Sequence, residues 1–361
     1  MFRIAFLATI AATLFAGTAF AQYVSWSAAP HLPLPTSGGA AAAIGGKLYY
    51  AGGYHTDKNS PVGDVYRLDS PSSVSWTQVS SMSTPRWGLV LVAGEGKLWA
   101  IAGGTDAFGS QTPAIESYDP VADRWATEIG RLAQDRRLAT GAYFQGRIYI
   151  FGGLKFGGGG TAIELLSSFP ASDSSAQVDH AANPVPRASW MAPFGERLYA
   201  LGGQTGSGAL DIVQYWTPDS SSGTGAGAWT TAAVLPNPAS SRAAARFGDR
   251  LFVAGGVNAS FQSPAVDRYD PLNDRWDSAA NLPNARSELA LATYRGGLYA
   301  VGGLAGLTAP GSPTDVVYRA DLVPAVTNTY HTEPAASMLA PRTRHGAVAL
   351  QNGKVLVAGG R

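Results

Sequence analysis

Apolar and polar positions alternate along this chain in a pattern that repeats. In each copy a short apolar segment such as "GAYFQG" is followed by a tight turn bearing glycine. A second apolar segment then runs into a glycine pair, and two apolar runs separated by such a turn predict a β-hairpin. The second segments are "KLYYAGG", "KLWAIAGG", "RIYIFGG", "RLYALGG", "RLFVAGG", "GLYAVGG" and "KVLVAGG".

The repeat has a nearly constant length. The glycine pairs begin at Gly52, Gly103, Gly152, Gly202, Gly255, Gly302 and Gly359, with successive spacings of 51, 49, 50, 53, 47 and 57 residues. Between them, "SYDPVADRW" and "RYDPLNDRW" predict a third strand, a proline turn and a fourth strand that opens on tryptophan. Four strands per period of about 50 residues, without helical periodicity, predict an all-β fold of propeller blades.

This ordered pattern of a glycine pair, Tyr-Asp-Pro and Trp resembles the kelch family. The resemblance covers essentially all of residues 22–361 and implies one kelch-type β-propeller over that range. Two repeats depart from the pattern. Residues 154–187 lack the tryptophan, and residues 304–341 place Tyr330 where it would fall.

The two ends of the chain predict how the ring closes. Leu and Pro follow Trp229 and Trp276 at offsets of six and seven residues, and they follow Trp26 at the same offsets. Residues 23–33 therefore resemble a fourth strand, and residues 344–360 a first and second strand. We expect these segments to share one blade, which gives seven four-stranded blades. The alternative is six blades plus an incomplete repeat.

The first residues differ from everything that follows. Arg3 precedes an apolar run from Ile4 to Phe15 that is too short to span a bilayer, and Ala19-Phe20-Ala21 fits a cleavage site. We therefore expect a signal peptide over residues 1–21 and no membrane span. Since the chain has no cysteine, a secreted or periplasmic bacterial protein fits best. The formal net charge of +1 gives no support to a nucleic-acid partner.

Catalytic and cofactor motifs are weak. The five histidines show no zinc-binding spacing, so we expect no metal and no cofactor. Secreted copper oxidases such as galactose oxidase use a kelch-type propeller, but their radical cofactor needs a cysteine. The run Gly157–Gly160 lacks the lysine and helix of a phosphate loop, which favours a flexible loop. The carboxylates are scattered at turns, so the sequence names no catalytic residue.

One charged feature recurs. An arginine lies 13 to 17 residues before six of the glycine pairs, and repetition in a ring places equivalent positions on one face. Such arginines could bind an anion through paired N–H donors, and the kelch resemblance implies a ligand-binding face there. The competing interpretation is that each arginine only binds backbone or a local acid in its own blade. The residues are Arg86, Arg137, Arg187, Arg242, Arg286 and Arg344.

Three functions from different classes remain open. The first is an exported, non-catalytic binding module that recognises a protein or glycan ligand, with anionic groups favoured by the arginine face. The second is a periplasmic sugar-modifying enzyme that resembles sialic acid mutarotase. The third is a ring domain of a larger cell-surface assembly. Fold alone does not choose among them, because function on a propeller resides in its loops.

Overall fold

The computed structural model describes residues 23–107, 109–155, 161–180, 182–219, 227–323, 346–349 and 355–358. These residues form strands and turns without a helix, so none of them supplies a helix that could cross a membrane. The chain divides into two compact units, of which Gln22–Val323 is the larger. In the other unit, the strands Gly346–Ala349 and Val355–Ala358 pair antiparallel.

Six four-stranded antiparallel sheets make up the larger unit, and we number them blades 1 to 6. The first strands are Ala40–Ile44, Val90–Gly94, Thr140–Phe144, Ala188–Phe194, Ala243–Phe247 and Ala290–Tyr294. The second strands are Lys47–Ala51, Lys97–Ile101, Arg147–Phe151, Arg197–Thr205, Arg250–Ala254 and Gly297–Val301. Tight turns join them as the apolar pattern predicts.

The outer half of each blade holds the third and fourth strands. The third strands are Val65–Leu68, Ala114–Asp119, Leu166–Pro170, Gly208–Pro218, Val266–Asp270 and Val317–Val323. The fourth strands are Thr77–Val79, Arg124–Arg131, Val178–Asp179, Gly227–Ala232, Arg275–Ser278 and, in blade 6, Tyr23–Ala29. Short strands on the loops complete the set: Tyr54–His55, Ser60–Pro61, Leu154–Lys155, Thr161–Ala162, Val257–Asn258, Phe261–Gln262, Arg286–Ser287, Leu304–Ala305 and Ser312–Pro313.

The blades form a closed ring. The first strand of every blade lies beside that of the next, and that of blade 6 lies beside that of blade 1. The hydrophobic core is therefore divided into clusters between neighbouring blades, as where Tyr49 of blade 1 packs against Tyr118 and Trp125 of blade 2. The second strands are buried on both faces, which explains their nearly continuous apolar sequence. This confirms the all-β propeller.

The predicted closure between residues 23–33 and 344–360 is wrong. Tyr23–Ala29 instead pairs along its whole length with Val317–Val323 and becomes the fourth strand of blade 6. Trp26 shows why this position is equivalent to the other fourth strands. Its indole N–H donates to the Ala280 carbonyl of the preceding blade at 2.9 Å, just as Trp76 donates to the Pro30 carbonyl at 2.8 Å.

The tryptophan offset identified the type of strand but not the blade that receives it. The sixth repeat lacks its own tryptophan, and the N-terminal strand supplies one from the other end of the chain. The count of seven blades is not confirmed, since the described residues contain six four-stranded sheets and a separate hairpin. This arrangement agrees with the alternative of six blades plus an incomplete repeat.

Blade 3 is the other repeat that departs from the pattern. Its fourth strand, Val178–Asp179, is only two residues long. The ring of His180 stacks on Tyr149 with centroids 5.4 Å apart and lies 5.0 Å from Trp216 of blade 4. His180 therefore joins Trp229 of blade 4 in packing the wedge between blades 3 and 4, and blade 3 forms without a tryptophan of its own.

Candidate functional site

Four of the six predicted face arginines lie inside the propeller. Arg86, Arg187 and Arg286 have 0% of their surface exposed and Arg242 has 2%. An arginine buried in this way needs hydrogen-bond partners nearby, because an unpaired buried charge costs several kcal/mol, about 3–5 when one partner of a buried pair is removed. The structure supplies those partners within each blade, as the competing interpretation expected.

The partners are mostly backbone carbonyls at equivalent positions. Arg187 donates from Nε to the Gly202 carbonyl at 2.8 Å, and Arg286 donates from Nη1 to the Gly302 carbonyl at 3.1 Å. Both acceptors are first members of glycine pairs. The recurrent spacing between arginine and glycine pair therefore reflects one packing arrangement that is repeated around the ring.

Two of these arginines also bind a buried acid. Arg86 donates to Glu116, and both side chains are fully buried. Arg242 donates to Asp267 at 2.6 Å. Burial lowers the pKa of Arg187 to about 10, so this guanidinium remains cationic at neutral pH. None of the four presents its guanidinium to a ligand at the surface.

The glycine pairs hold neighbouring blades together. Gly153 donates its backbone N–H to the Arg187 carbonyl of the next blade at 3.2 Å. The first glycine of that pair, Gly152, has φ +63°, and a Cβ there would lie 2.1 Å from the same carbonyl oxygen. Only glycine fits at that position, since both the backbone angle and the close approach exclude a side chain.

Two consecutive arginines of blade 3 lie in different environments. Arg136 is the buried residue, with 0% exposure and an N–H bond from Nη1 to the Gly152 carbonyl at 3.3 Å. Arg137 is only partly buried, and its guanidinium carbon lies 4.8 Å from the centre of the Trp87 ring. Of the described members of the predicted set, Arg137 is thus the one at the end of the channel. Arg344 lies outside the described residues.

A central cavity of ≈ 240 Å³ runs between the first strands of all six blades. Most of its wall consists of small or apolar residues. The lining segments are Gly38–Ala41, Gly88–Leu91, Leu138–Gly141, Ala188–Met191, Ser241–Ala244 and Glu288–Leu291, joined by Gln204. The first residue of each segment lies at the end of the channel where the glycine pairs also lie, and we call this end the mouth.

The mouth collects polar and aromatic side chains. Tyr54 and Trp87 make an edge contact with centroids 6.4 Å apart, and Arg137 packs over the Trp87 ring. The Trp87 indole is fixed by an N–H bond to the Asp106 carbonyl at 3.0 Å. This places a cation, an aromatic surface and the carboxylates of Glu288 and Asp106 around one opening.

Glu288 is the acidic group of this cluster. Desolvation by burial raises the pKa of Glu288, while a hydrogen bond from Ser37 and the positive charge of Arg137 act in the opposite direction. Burial also lowers the pKa of Arg137, and the charges of Glu288 and Asp106 oppose that shift. An acid near a cation in a partly dry site can bind a polar ligand or transfer a proton.

Metal binding has no support here. Within the described residues, no group of three or more acidic, histidine or cysteine side chains is arranged to hold a metal ion. Sequence analysis missed Glu288, Trp87 and Tyr54 because none belongs to the repeated pattern. They could be recognised only by not recurring, since each differs in residue type from the equivalent positions of the other blades.

Comparison with known proteins decides the family. Models of the Kelch motif match residues 35–83 and 238–283, which correspond to blades 1 and 5. Kelch-like protein 35 of Mus musculus is 26% identical over 248 residues, and Kelch-like protein 36 of Bos taurus is 28% identical over 272 residues. The chain is a kelch-repeat protein.

The chain spans less than half the length of these two relatives. The matches cover 68% and 71% of the kelch-repeat chain described here, but only 39% and 41% of the two relatives. The solved structure entitled "Structure of YjhT" superimposes with a TM-score of 0.66 and covers 81% of this chain and 97% of that one. At 17% identity it shows a shared fold.

Proposed function

We propose that this kelch-repeat protein is a binding module that takes a protein or glycan ligand at the mouth of its channel. The observation that carries the proposal is the cluster of Arg137, Glu288, Trp87 and Tyr54, brought together there from four blades. Kelch repeats commonly bind proteins, and a shallow polar site with aromatic anchors suits such recognition.

An anionic group is the feature of the ligand that Arg137 would recognise. Its guanidinium is held over Trp87, so it is already oriented before a ligand arrives. Charge-assisted hydrogen bonds of this kind contribute about 1.5–3 kcal/mol each before desolvation costs. The buried arginines at the equivalent positions do not take part, because their side chains are enclosed in the protein with 0–2% exposure.

A glycan array with the wild-type protein tests the proposal, followed by binding measurements on Arg137→Lys and Arg137→Ala at two salt concentrations. We expect lysine to weaken binding although it retains the charge, since the planar guanidinium both stacks on Trp87 and donates in pairs. Equal affinity of lysine and arginine, lost at high salt, would reduce the site to diffuse electrostatics. The proposal would be refuted if neither an array glycan nor a protein partner bound the wild-type protein, or if the affinity were the same for the wild type, Arg137→Lys and Arg137→Ala.

A sugar-modifying enzyme similar to sialic acid mutarotase is the second candidate. Glu288 favours it, because a carboxyl with a raised pKa near a cation is suited to general acid–base chemistry on an acidic sugar. The test is anomer exchange of sialic acid followed by NMR. Exchange catalysed by the wild type and lost in Glu288→Gln would establish the enzyme, and exchange at the uncatalysed rate would exclude it.

Export remains a proposal of its own. It rests on the apolar run behind Arg3 and the small residues at Ala19 and Ala21. Mass spectrometry of the protein from its natural host tests it: a mature chain that begins at Gln22 is expected, and retention of the first 21 residues would contradict cleavage.

A further inference from the structure

A chain of hydrogen bonds runs from blade to blade around the mouth. Leu138 donates its backbone N–H to the Gly88 carbonyl at 2.8 Å, and Gly88 donates to Gly38 at 2.6 Å. Gly38 then donates to Glu288 at 3.0 Å, and Glu288 to Ser241 at 2.9 Å. We call this chain the collar.

Every collar residue has a left-handed backbone. The φ angles are +63° at Gly38, +58° at Gly88, +55° at Leu138, +53° at Ser241 and +52° at Glu288. Three of these residues are not glycine, so the conformation costs about 1 kcal/mol or more at each. The protein keeps this costly arrangement in five blades.

Blade 4 breaks the collar because the segment at the start of its first strand has one residue fewer than the equivalent segment of blade 3. In blade 3, two residues separate Arg137, which pairs with Leu154, from Thr140, which pairs with Phe151. In blade 4 only Ser189 separates Ala188 from Trp190 in the corresponding pairings. The residue that is missing is the left-handed one that would have joined the collar.

The side chain of Gln204 repairs one side of the break. Its Oε1 accepts the N–H of Ser241 at 2.7 Å, in place of the absent backbone carbonyl. With Oε1 used in this way, Nε2 keeps its N–H donors, for which the described part of the chain provides no acceptor. Gln204 lines the cavity.

The other side of the break is not repaired. Among the residues that the structure describes, no N–H donates to the Leu138 carbonyl. Besides the bond from Gly153 to Arg187, blades 3 and 4 are joined further along their first strands, where Met191 donates its N–H to Thr140 Oγ1 at 2.7 Å. Leu138, Trp190 and Gln204 all line the same cavity, so an acceptor, an aromatic ring and a donor meet at the break.

We propose that a secondary amide of the ligand binds in this break. Its N–H donates to the Leu138 carbonyl, its carbonyl accepts from Gln204 Nε2, and its apolar substituent packs on Trp190. A secondary amide is the group that the shortened blade lacks, since it combines one donor and one acceptor as a peptide unit does. The inference builds on the proposed binding of ligands at the mouth, and it adds a second contact point independent of Arg137.

N-acetylglucosamine and N-acetylalanine methylamide are the probes, with glucose as the matched compound that has no amide. Titration of ¹⁵N-labelled protein would follow the Gln204 side-chain amide and the Trp190 indole signals. We expect saturable shifts with one or both amides and none with glucose. Binding of the sugar alone indicates a glycan source, and binding of the dipeptide analogue alone a peptide source. No shift with either amide, or equal shifts with glucose, overturns the proposal.

Two variants test the assigned atoms. Gln204→Glu keeps an oxygen for Ser241 but removes the N–H donor, so affinity for the amide probe should fall about 2- to 10-fold, the value of one neutral hydrogen bond. Insertion of one glycine between Ala188 and Ser189 supplies the missing residue, and it should abolish probe binding while the melting temperature is maintained. Unchanged affinity in the glycine-insertion variant, with its fold intact, would also overturn the proposal.

Arg137→Ala separates this inference from the proposed function. Neither amide probe carries a charge, so both should bind the variant with wild-type affinity if the break is the site. If the amide probe binds both proteins equally and anionic ligands also show no loss of affinity for Arg137→Ala, the proposed ligand face is refuted and the amide site is retained. If anionic ligands lose affinity for Arg137→Ala but neither amide probe binds the wild-type protein, the amide site alone is refuted.

Discussion

Two adjacent arginines of blade 3 sit in opposite environments. Arg136 points into the blade and donates to the Gly152 carbonyl. Its counterparts Arg187 and Arg286 donate in the same way to the glycine carbonyls of their own blades. Arg137 lies one position further along the chain, over Trp87 at the mouth of the channel. Two arginines that are neighbours in sequence therefore have different roles: Arg136 stabilises the interior of the blade, and Arg137 belongs to a candidate binding surface.

The comparison separates two kinds of residue in a repeat protein. A residue type that recurs in every repeat usually satisfies a requirement that every repeat shares, and here this is the need to bind buried backbone carbonyls. A residue that differs from its equivalents is free of that requirement. The features of the mouth, including Glu288 and the missing residue between Ala188 and Trp190 of blade 4, belong to this second kind.

The largest effect is expected from removing a buried arginine. Arg86→Ala leaves Glu116 fully buried without its cation, so the free energy of unfolding should fall by about 3–5 kcal/mol. Arg137→Ala is the matched control, with an expected loss of about 1 kcal/mol or less. Urea unfolding of both variants measures the difference, and equal losses would contradict the separation into packing and surface roles.

The glycine pairs offer the second comparison. Gly152→Ala combines a left-handed backbone with a Cβ placed against the Arg187 carbonyl. We expect a loss of about 3 kcal/mol, from strain of about 1–2 kcal/mol and the displacement of a packed backbone. Gly45→Ala is the control, because Gly45 has φ +57° but nothing within 4 Å of an added Cβ. If thermal unfolding shows the same shift for both, the inter-blade contact contributes nothing.

Much of this fold could be predicted from the sequence, because the repeat reports local hairpins directly. The apolar runs and glycine turns located the first and second strands, and the Trp26 offset identified a fourth strand. Its partner could not be deduced, since pairing between Tyr23–Ala29 and Val317–Val323 joins the two ends of the larger unit. Spacing alone also could not choose between Arg136 and Arg137, because they differ by one residue.

The mouth was harder to predict for a physical reason. Glu288 is distant in sequence from Tyr54 and Trp87, and it lies near them because blade 6 packs beside blade 1 in the closed ring. The missing residue of blade 4 leaves no mark in the repeat length, since the spacing between its glycine pair and the preceding one is 50 residues. Only the strand register shows that a residue is absent between Ala188 and Trp190.

Closure of the ring supplies the third prediction. Trp26→Ala removes a half-buried ring and its N–H bond to the Ala280 carbonyl. Unfolding free energy should fall by about 2 kcal/mol, less than the 3–5 typical of a fully buried tryptophan. Ser25→Ala, at an exposed position of the same strand, should change it by less than about 0.5 kcal/mol. If Trp26→Ala matches this control in urea unfolding, the N-terminal strand does not close the ring.

The smallest effect concerns Glu288 and its dependence on pH. Desolvation raises the pKa of this carboxyl in the folded protein above its ordinary value of 4.5, so the folded state binds more protons than the unfolded state above that pH. The stability that this group contributes is fully present below pH 4.5 and is lost as pH rises through the raised pKa. Glu288→Gln mimics the protonated form and removes the loss. The difference in unfolding free energy between variant and wild type should therefore grow in favour of the variant from pH 4 to pH 8, as followed by urea titrations at each pH. A difference that stays constant with pH would show that Arg137 and Ser37 fully offset the burial of Glu288, and that its carboxylate is as stable at the mouth as it is in water.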